Sequence, residues 1–289
     1  MMTARDWFEK ARKENFAIGA FNVDSLEIFK GICLGAKNKK SPVMVEFSPG
    51  EVSYFGLKDI VDMVINAREE YKIPILLNLD HGKPAELVKQ AIEQPGFDDI
   101  HFDGSDLDFG ENIHETREIV SKAHSKGLLV EGETDKIAGS SEVHEEEVNI
   151  EALKGLYTDV KRATRFVQET KVDIYAPFFG NLHGTFPTQP DLDMGLITNL
   201  AQALGETFLS LHGASGIPAV QVKQAIKVGK IVKVNINTEL RIAYRDALAA
   251  QIEKEPPQYK VYDYSDEIVL TVAAVVEDKI DVLGSGGRV

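Results

Sequence analysis

Eight short apolar runs recur along the chain, and segments with helical patterning separate them. The runs are AIGAFN (17–22), VMVEFS (43–48), ILLNLD (75–80), DIHFDG (99–104), LLVEGE (128–133), VDIYAP (172–177), TFLSLHG (207–213) and IVKVNIN (231–237). Near-continuous apolar strands that alternate with helices are typical of parallel strands buried on both faces. Eight such units without a break in composition predict an α/β fold, a closed (β/α)8 TIM barrel.

The segments around these strands set the extent of the fold. Helices are predicted at 86–94, 111–127 and 217–230, with an amphipathic helix at the N-terminus and two further helices at 239–254 and 264–280. We therefore expect one barrel domain over residues 1–289 with a C-terminal helical extension. Two polar segments, 136–151 and 182–195, follow the fifth and sixth strands and predict loops, the first of them mobile. Both lie at the face where barrel enzymes place their active sites.

The charge of the chain narrows the possible partners. Lys and Arg total 32 against 46 Asp and Glu, a formal net charge of −14, which argues against nucleic acid or an anionic membrane as a partner. A small phosphorylated substrate needs only local donors. The N-terminus lacks the apolar core of a signal peptide, and no stretch approaches the roughly 18–20 apolar residues that span a bilayer. We therefore expect a cytoplasmic protein that does not associate with membranes.

Polar side chains cluster at the C-terminal ends of the predicted strands. A barrel brings these ends together at one mouth, whereas random scatter would place some of the polar groups at the opposite end. The residues in question are Asn22, Ser48, Asp80, His81, Asp103, Glu131, Glu133, His183, His212, Asn235 and Asn237. The mouth is therefore the predicted active site.

Three of the seven histidines, His81, His183 and His212, follow a strand end and precede a glycine. A glycine beside a ligand lets the backbone turn sharply or approach a bound group closely. Three imidazoles suit a catalytic zinc ion, which takes three protein ligands and keeps one position open, and they would also accept cobalt or iron. The alternative is that they are hydrogen-bonded histidines of the barrel rim. The histidines without a following glycine are His101, His114, His124 and His144.

Asp80 and two glycine- or asparagine-containing turns complete the predicted chemistry. Asp80 directly precedes His81, so its carboxylate is predicted to transfer a substrate hydroxyl proton, or else to orient an imidazole. HGASGIP (212–218) and NINTEL (235–240) each lead from a strand into a helix. Small residues leave backbone N–H groups free to bind anions, and phosphate sites after the last two strands recur in barrels.

The order and spacing of these motifs resemble the class II fructose-bisphosphate and tagatose-bisphosphate aldolases from about residue 6 to the C-terminus. The motifs are GAFNV (19–23), SPVMVEFSPG (41–50), LDHG (79–82), FDGSDLDFGENI (102–113), VEGE (130–133), LHG (182–184), LHGASGIP (211–218), NINTEL (235–240) and LGSGGR (283–288).

The resemblance implies a carbohydrate-metabolising, glycolytic type of lyase. It would cleave a phosphorylated ketose reversibly into dihydroxyacetone phosphate and an aldehyde. One zinc ion per chain on His81, His183 and His212 would polarise the C2 carbonyl, Asp80 would take the C4 hydroxyl proton, and Glu142 would return a proton to C3. The implied substrate-binding residues are Asn22, Ser48, Gly184, Gly213, Ser215, Asn235, Asn237 and Thr238. The family also implies a homo-oligomer, either a dimer or a tetramer.

Departures from the family pattern leave the substrate and the mechanism open. Pro187 stands where the family usually has a phosphate-binding lysine, and Lys83 and Pro84 replace a serine-containing turn. A non-standard sugar phosphate, an epimerase reaction and a non-catalytic companion subunit therefore remain alternatives. A Schiff-base aldolase would need a desolvated lysine, for which Lys233 is the interior candidate.

Overall fold

The computed structural model describes residues 2–289. Eight parallel strands close into a barrel in the order β1-β10-β9-β7-β5-β4-β3-β2, which confirms the predicted (β/α)8 fold. The ten strands are β1 (Ile18–Asn22), β2 (Val43–Phe47), β3 (Ile75–Gly82), β4 (Asp99–Phe102), β5 (Leu129–Gly132), β6 (Gly139–Val143), β7 (Ile174–Tyr175), β8 (His183–Thr185), β9 (Phe208–Leu211) and β10 (Ile231–Ile236). Each of the eight predicted apolar runs coincides with one barrel strand, and β3 extends two residues beyond its predicted run.

Helices surround the barrel, and one of them closes its N-terminal end. They are α1 (Ala4–Glu14), α2 (Leu26–Lys39), α3 (Pro49–Phe55), α4 (Leu57–Tyr71), α5 (Ala85–Glu93), α6 (Phe109–Ser125), α7 (Ile150–Lys154), α8 (Val160–Thr170), α9 (Met194–Leu204), α10 (Ala219–Gly229), α11 (Thr238–Lys254) and α12 (Ser265–Leu283). The predicted helices are all present, including the two after the last strand, and α12 packs against α2. No helix within residues 2–289 is both long and apolar enough to cross a membrane.

Helix α1 closes the N-terminal end of the barrel. Thr3 begins it with a capping box, in which the Thr3 side chain and the Asp6 side chain each bond the other's backbone N–H. Trp7 and Phe8 of α1 pack into one apolar cluster with inward-facing residues of the strands, among them Met44 and Phe208. This end of the barrel is therefore a packed core without polar chemistry.

The two segments that sequence predicted as loops form a small sheet. β6 and β8 pair in parallel, with Gly139 opposite His183 and Val143 opposite Thr185. The prediction of a wholly irregular, mobile 136–151 loop is therefore wrong in part, because backbone pairing orders residues 139–143. His183 also does not end the sixth barrel strand. That strand stops at Tyr175, and the chain reaches His183 through a further seven-residue connection, 176–182.

Candidate active site

The three predicted metal ligands come together at the C-terminal mouth of the barrel. Nε2 of His81 lies 3.1 Å from Nδ1 of His212. The His183 ring centroid lies 5.0 Å from that of His81 and 6.2 Å from that of His212. His81 is part of β3, His212 directly follows β9, and the amide of His183 is held by the carbonyl of Ala138 at 2.9 Å.

Gly213 lets these ligand segments approach one another. Its φ is +60°, and a Cβ there would lie 2.2 Å from the carbonyl oxygen of Leu182. Any other residue would push the end of β9 away from the segment that leads into His183. The glycine after His212 is thus required by close backbone approach, as the sequence pattern predicted.

A fourth histidine, His101, belongs to the same cluster and was missed from sequence. It is fully buried, with its ring centroid 4.6 Å from that of His81 and 5.0 Å from that of His212. Its Nδ1 lies 3.2 Å from the backbone N–H of His81, whereas its Nε2 is buried without a hydrogen-bond partner within residues 2–289. The available signal was strand periodicity, because His101 stands two residues before Asp103 and therefore faces the same side.

The donor set fits a divalent metal ion. Ligand atoms of Asp80, His81, His101 and His212 all lie within 4.8 Å of one another, and a second such group combines His81 with Asp103 and Glu133. Burial lowers the pKa of His183 well below its usual value and lowers that of His212 to about 4. Both imidazoles are therefore neutral, which is the form that binds metals.

The carboxylates around His81 favour positive charge at this position. Burial alone would lower the pKa of His81, but Asp80 and Glu133 outweigh it and raise the pKa well above its ordinary value. A cation placed between these carboxylates is stabilised by the same field. The orphaned Nε2 of His101 and the negative field around His81 thus both fit a bound cation.

Asp80 is fixed beside the histidines as an ionised carboxylate. Asn22 donates to its Oδ2 at 3.1 Å and Asn235 donates to its Oδ1 at 3.2 Å. Burial by itself raises the pKa of Asp80, but His81, a hydrogen bond from His101 and the charges of His212 and Lys233 together outweigh it and hold the pKa well below its usual range. Two predicted substrate-binding residues therefore also hold the predicted proton-transfer group in place.

Lys233 lies within the barrel as a paired ammonium group. It is fully buried, and its Nζ lies 2.6 Å from Glu131, 3.4 Å from Glu46 and 3.7 Å from Asp99. These carboxylates outweigh burial and raise its pKa. A Schiff-base lysine must instead be a free amine at neutral pH. Glu131 also accepts a hydrogen bond from His212 at 2.8 Å. Lys233 therefore helps to position His212 through their shared partner, Glu131.

A cavity of about 340 Å³ opens over the histidine cluster. It is lined by all of the predicted substrate-binding residues and by Asp80, whereas Glu142 does not line it. Glu142 is exposed on β6, where the Ser140 hydroxyl lies 3.3 Å from its carboxylate. Three cations line the cavity, which are Lys83, Lys136 and Arg241. Sequence reasoning noted Lys83 only as a departure from the family pattern and missed the other two.

Comparison with known proteins identifies relatives along the whole chain. The profile of the family described as fructose-bisphosphate aldolase class-II matches residues 2–288. The chain is 36% identical over 301 residues to fructose-bisphosphate aldolase of Streptococcus pneumoniae, covering 100% of this chain and 99% of that one. It is 35% identical over 281 residues to 6-phospho-5-dehydro-2-deoxy-D-gluconate aldolase of Shouchella clausii, covering 96% and 92%.

Solved structures give the same relationship. The YdjI aldolase of Escherichia coli K12 superposes with a TM-score of 0.84 at 30% identity, covering 100% of this chain and 99% of that one. A putative fructose-1,6-biphosphate aldolase of Coccidioides immitis gives 0.85 at 29% identity, covering 99% and 97%. The chain therefore belongs to the class II fructose-bisphosphate aldolase family and is a metal-dependent aldolase, a lyase that reversibly cleaves a phosphorylated ketose.

Proposed function

We propose that the mouth of this barrel holds one zinc ion per chain on His81, His183 and His212 and cleaves a phosphorylated ketose into dihydroxyacetone phosphate and an aldehyde. The observation that supports this most strongly is that His81, His183, His212 and the ionised Asp80 all line one cavity. Cobalt or iron are possible substitutes, because imidazole nitrogen suits all three metals. When bound, the ion supplies a Lewis acid to the ketone oxygen.

Asp80 removes the proton from the C4 hydroxyl group of the ketose. The O–H electron pair then forms the new aldehyde C=O bond, and the C3–C4 bond pair remains on C3 of the ketone half. Asn22 and Asn235 hold the Asp80 carboxylate in place through this transfer, which makes Asp80 a positioned general base. Glu142 stays our candidate for the proton returned to C3, and this role requires β6 to move because the side chain lies outside the cavity in this conformation.

The phosphate of the ketone half binds beside His212. The small residues Gly184, Gly213 and Ser215 line the cavity there together with Thr238, at the N-terminus of α11. Backbone N–H groups at a helix N-terminus and side-chain hydroxyls are the donors that anions prefer. Ser48 and Asn237, which also line the cavity, contact the rest of the substrate.

Several properties of the whole protein extend this proposal. The relatives are named for fructose bisphosphate and for a phosphorylated deoxygluconate, so a glycolytic bisphosphate and a non-standard sugar phosphate are both substrate candidates.

We place the protein in the cytoplasm as a homo-oligomer, a dimer or tetramer. We further propose that the chain is one barrel domain, of which residues 2–289 are described, with α11 and α12 as its C-terminal extension.

Elemental analysis combined with an enzyme assay tests the proposal. Protein purified without chelator is expected to contain about one zinc ion per chain and to release dihydroxyacetone phosphate from phosphorylated ketoses. Chelation is expected to abolish the release, and zinc to restore it. His183→Ala is expected to lose the metal, whereas His114→Ala on the outer helix α6 is expected to keep it.

Two results would contradict the proposal. A metal-loaded protein that interconverts ketoses without releasing a three-carbon product would be an epimerase. A metal-loaded protein inactive on every phosphorylated ketose would favour a non-catalytic companion subunit.

A further inference from the structure

The cations that line the cavity are already paired with carboxylates. Among residues 2–289 these cations are Lys83, Lys136 and Arg241. Nζ of Lys83 lies 2.9 Å from Asp103 and 2.7 Å from Asp106, and Nζ of Lys136 lies 3.0 Å from Asp106. Two lysines therefore share two aspartates, and this side of the mouth offers no excess of positive charge.

Arg241 is the cation with the most complete set of partners. Its Nε and Nη2 donate to the two carboxylate oxygens of Asp24 at 2.6 and 2.9 Å, and Nη2 also donates to Glu51 at 3.2 Å. Nη1 donates to the backbone carbonyl of Ser141 at 3.1 Å. A guanidinium group has five N–H donors in a fixed planar fork. An incoming anion would have to displace a two-point carboxylate contact to reach it.

Glu51 cannot turn away from Arg241 at low cost. It is 5% exposed, and its Oε2 accepts from the Ser48 backbone N–H at 2.6 Å and from the Asn22 amide at 3.3 Å. Burial and then the neighbouring Asp24 raise its pKa to about 8. Whether Glu51 is protonated or ionised, two acids balance or exceed the single positive charge of Arg241.

A phosphate dianion placed beside Arg241 would be repelled by the carboxyl groups of Asp24 and Glu51, because like charges at close range disfavour each other strongly in partly buried sites. A hydroxylated chain would be accommodated, since the Ser48 hydroxyl can donate or accept a hydrogen bond and the Asn22 amide oxygen can accept one. By contrast, the residues beside His212 that line the cavity, Gly213 and Ser215, carry no acid. The cavity thus has one place suited to phosphate.

We infer that the ketose carries a single phosphate, on the half that becomes dihydroxyacetone phosphate, and that the aldehyde released is an uncharged, hydroxylated aldehyde without phosphate. This inference rests on the proposed function. It assigns Asp24 and Glu51 as specificity-determining residues, which act by neutralising Arg241.

Condensation assays with matched aldehydes test the inference. The zinc-loaded full-length protein is given dihydroxyacetone phosphate with D-glyceraldehyde or its 3-phosphate, and with D-erythrose or its 4-phosphate. The expected kcat/KM is at least about tenfold higher for the unphosphorylated member of a pair. Equal or higher values for the phosphorylated members would overturn the inference alone. Absence of turnover with all four aldehydes would overturn the proposed function, and the inference with it.

A double variant, Asp24→Asn with Glu51→Gln, tests the role of the two acids. Releasing Arg241 is expected to raise kcat/KM for the phosphorylated aldehydes about tenfold, mainly through a lower KM. Glu206→Gln, which removes an exposed carboxylate paired with Arg12 far from the cavity, is the matched control and is expected to leave the preference unchanged. If the double variant does not fold, Asp24→Asn alone serves. A folded variant with the wild-type preference would overturn the assignment.

Discussion

The two ends of the barrel are built from the same strands but from opposite kinds of residue. Along β9 and the residue that follows it, Phe208 packs against α1, Ser210 donates a hydrogen bond to Glu131, and His212 belongs to the histidine cluster. In β3, Leu76 and Asp80 show the same change over four residues. The N-terminal end thus contributes hydrophobic packing to stability, whereas the mouth carries the reactive polar groups. The difference shows that inward positions two residues apart along one strand can serve stability and function separately.

The layer between the two ends is neither apolar nor part of the cavity. Glu46, Asp99, Glu131 and Lys233 are fully buried there. Burying charges costs free energy unless they are paired and hydrogen-bonded. Here one lysine serves three carboxylates, one of which orients His212. The middle layer therefore links the packed end to the reactive end.

Changing Asp80 should affect chemistry with little effect on the fold. Asp80→Asn keeps the shape and one acceptor oxygen, and the unpartnered Oδ1 of Asn235 can accept from the new NH2 group if the Asn235 amide turns over. The variant removes the base, and kcat is expected to fall by about 10²- to 10⁴-fold, the usual contribution of a general base. Steady-state release of dihydroxyacetone phosphate measures it. Melting of the metal-free variant should stay near that of the wild type. A variant that kept most of its kcat would show that the proton goes elsewhere.

Changing Phe8 should have the opposite consequence. Phe8→Ala removes a fully buried ring from the N-terminal core, where it packs edge-on against Phe208 at 5.6 Å. The free energy of unfolding is expected to fall by about 3–5 kcal/mol, as measured by urea denaturation. kcat at a temperature where the variant is folded should match the wild type. A large drop in kcat would mean that the two ends are coupled through the middle layer.

The smallest expected effect is on the pH dependence of stability. Glu51 has its pKa raised from 4.5 to about 8 by burial, so the folded chain holds a proton that the unfolded chain releases between these values. Stability present below about pH 4.5 is therefore lost as the pH rises towards 8. Glu51→Gln should show a smaller loss between pH 5 and 8 in urea denaturation, by at most a few kcal/mol. The Glu206→Gln slope should match the wild type, and equal slopes in all three proteins would refute the prediction.

The architecture and the three His-Gly histidines of the mouth were predictable because they follow simple spacing. Eight apolar runs located all eight barrel strands, and the His-Gly pairs found His81, His183 and His212, which lie together in the structure. His101 escaped because no glycine follows it. Strand alternation would have found it, since it precedes Asp103 by two residues and so faces the barrel interior.

The small sheet and the pairing of Arg241 depend on contacts between distant parts of the chain. β6 is polar and Glu-rich, and it becomes a strand only because β8 lies beside it. Asp24, Glu51 and Arg241 are separated by up to 217 residues in sequence. Local patterns carry no information about such pairings, since propensity is overridden by tertiary context.

The pairing of β6 with β8 also links ordering to ligand binding. His183 lies on β8 and holds its backbone place through Ala138, just before β6. Any ligand that binds His183 in this position stabilises the paired strands, and by thermodynamic reciprocity pairing strengthens that binding by the same factor. The segment between β6 and α7 would then become more resistant to proteolysis as the site fills. The 136–151 segment, which forms part of the cavity wall, is therefore expected to change its resistance to proteolysis with occupancy of the site.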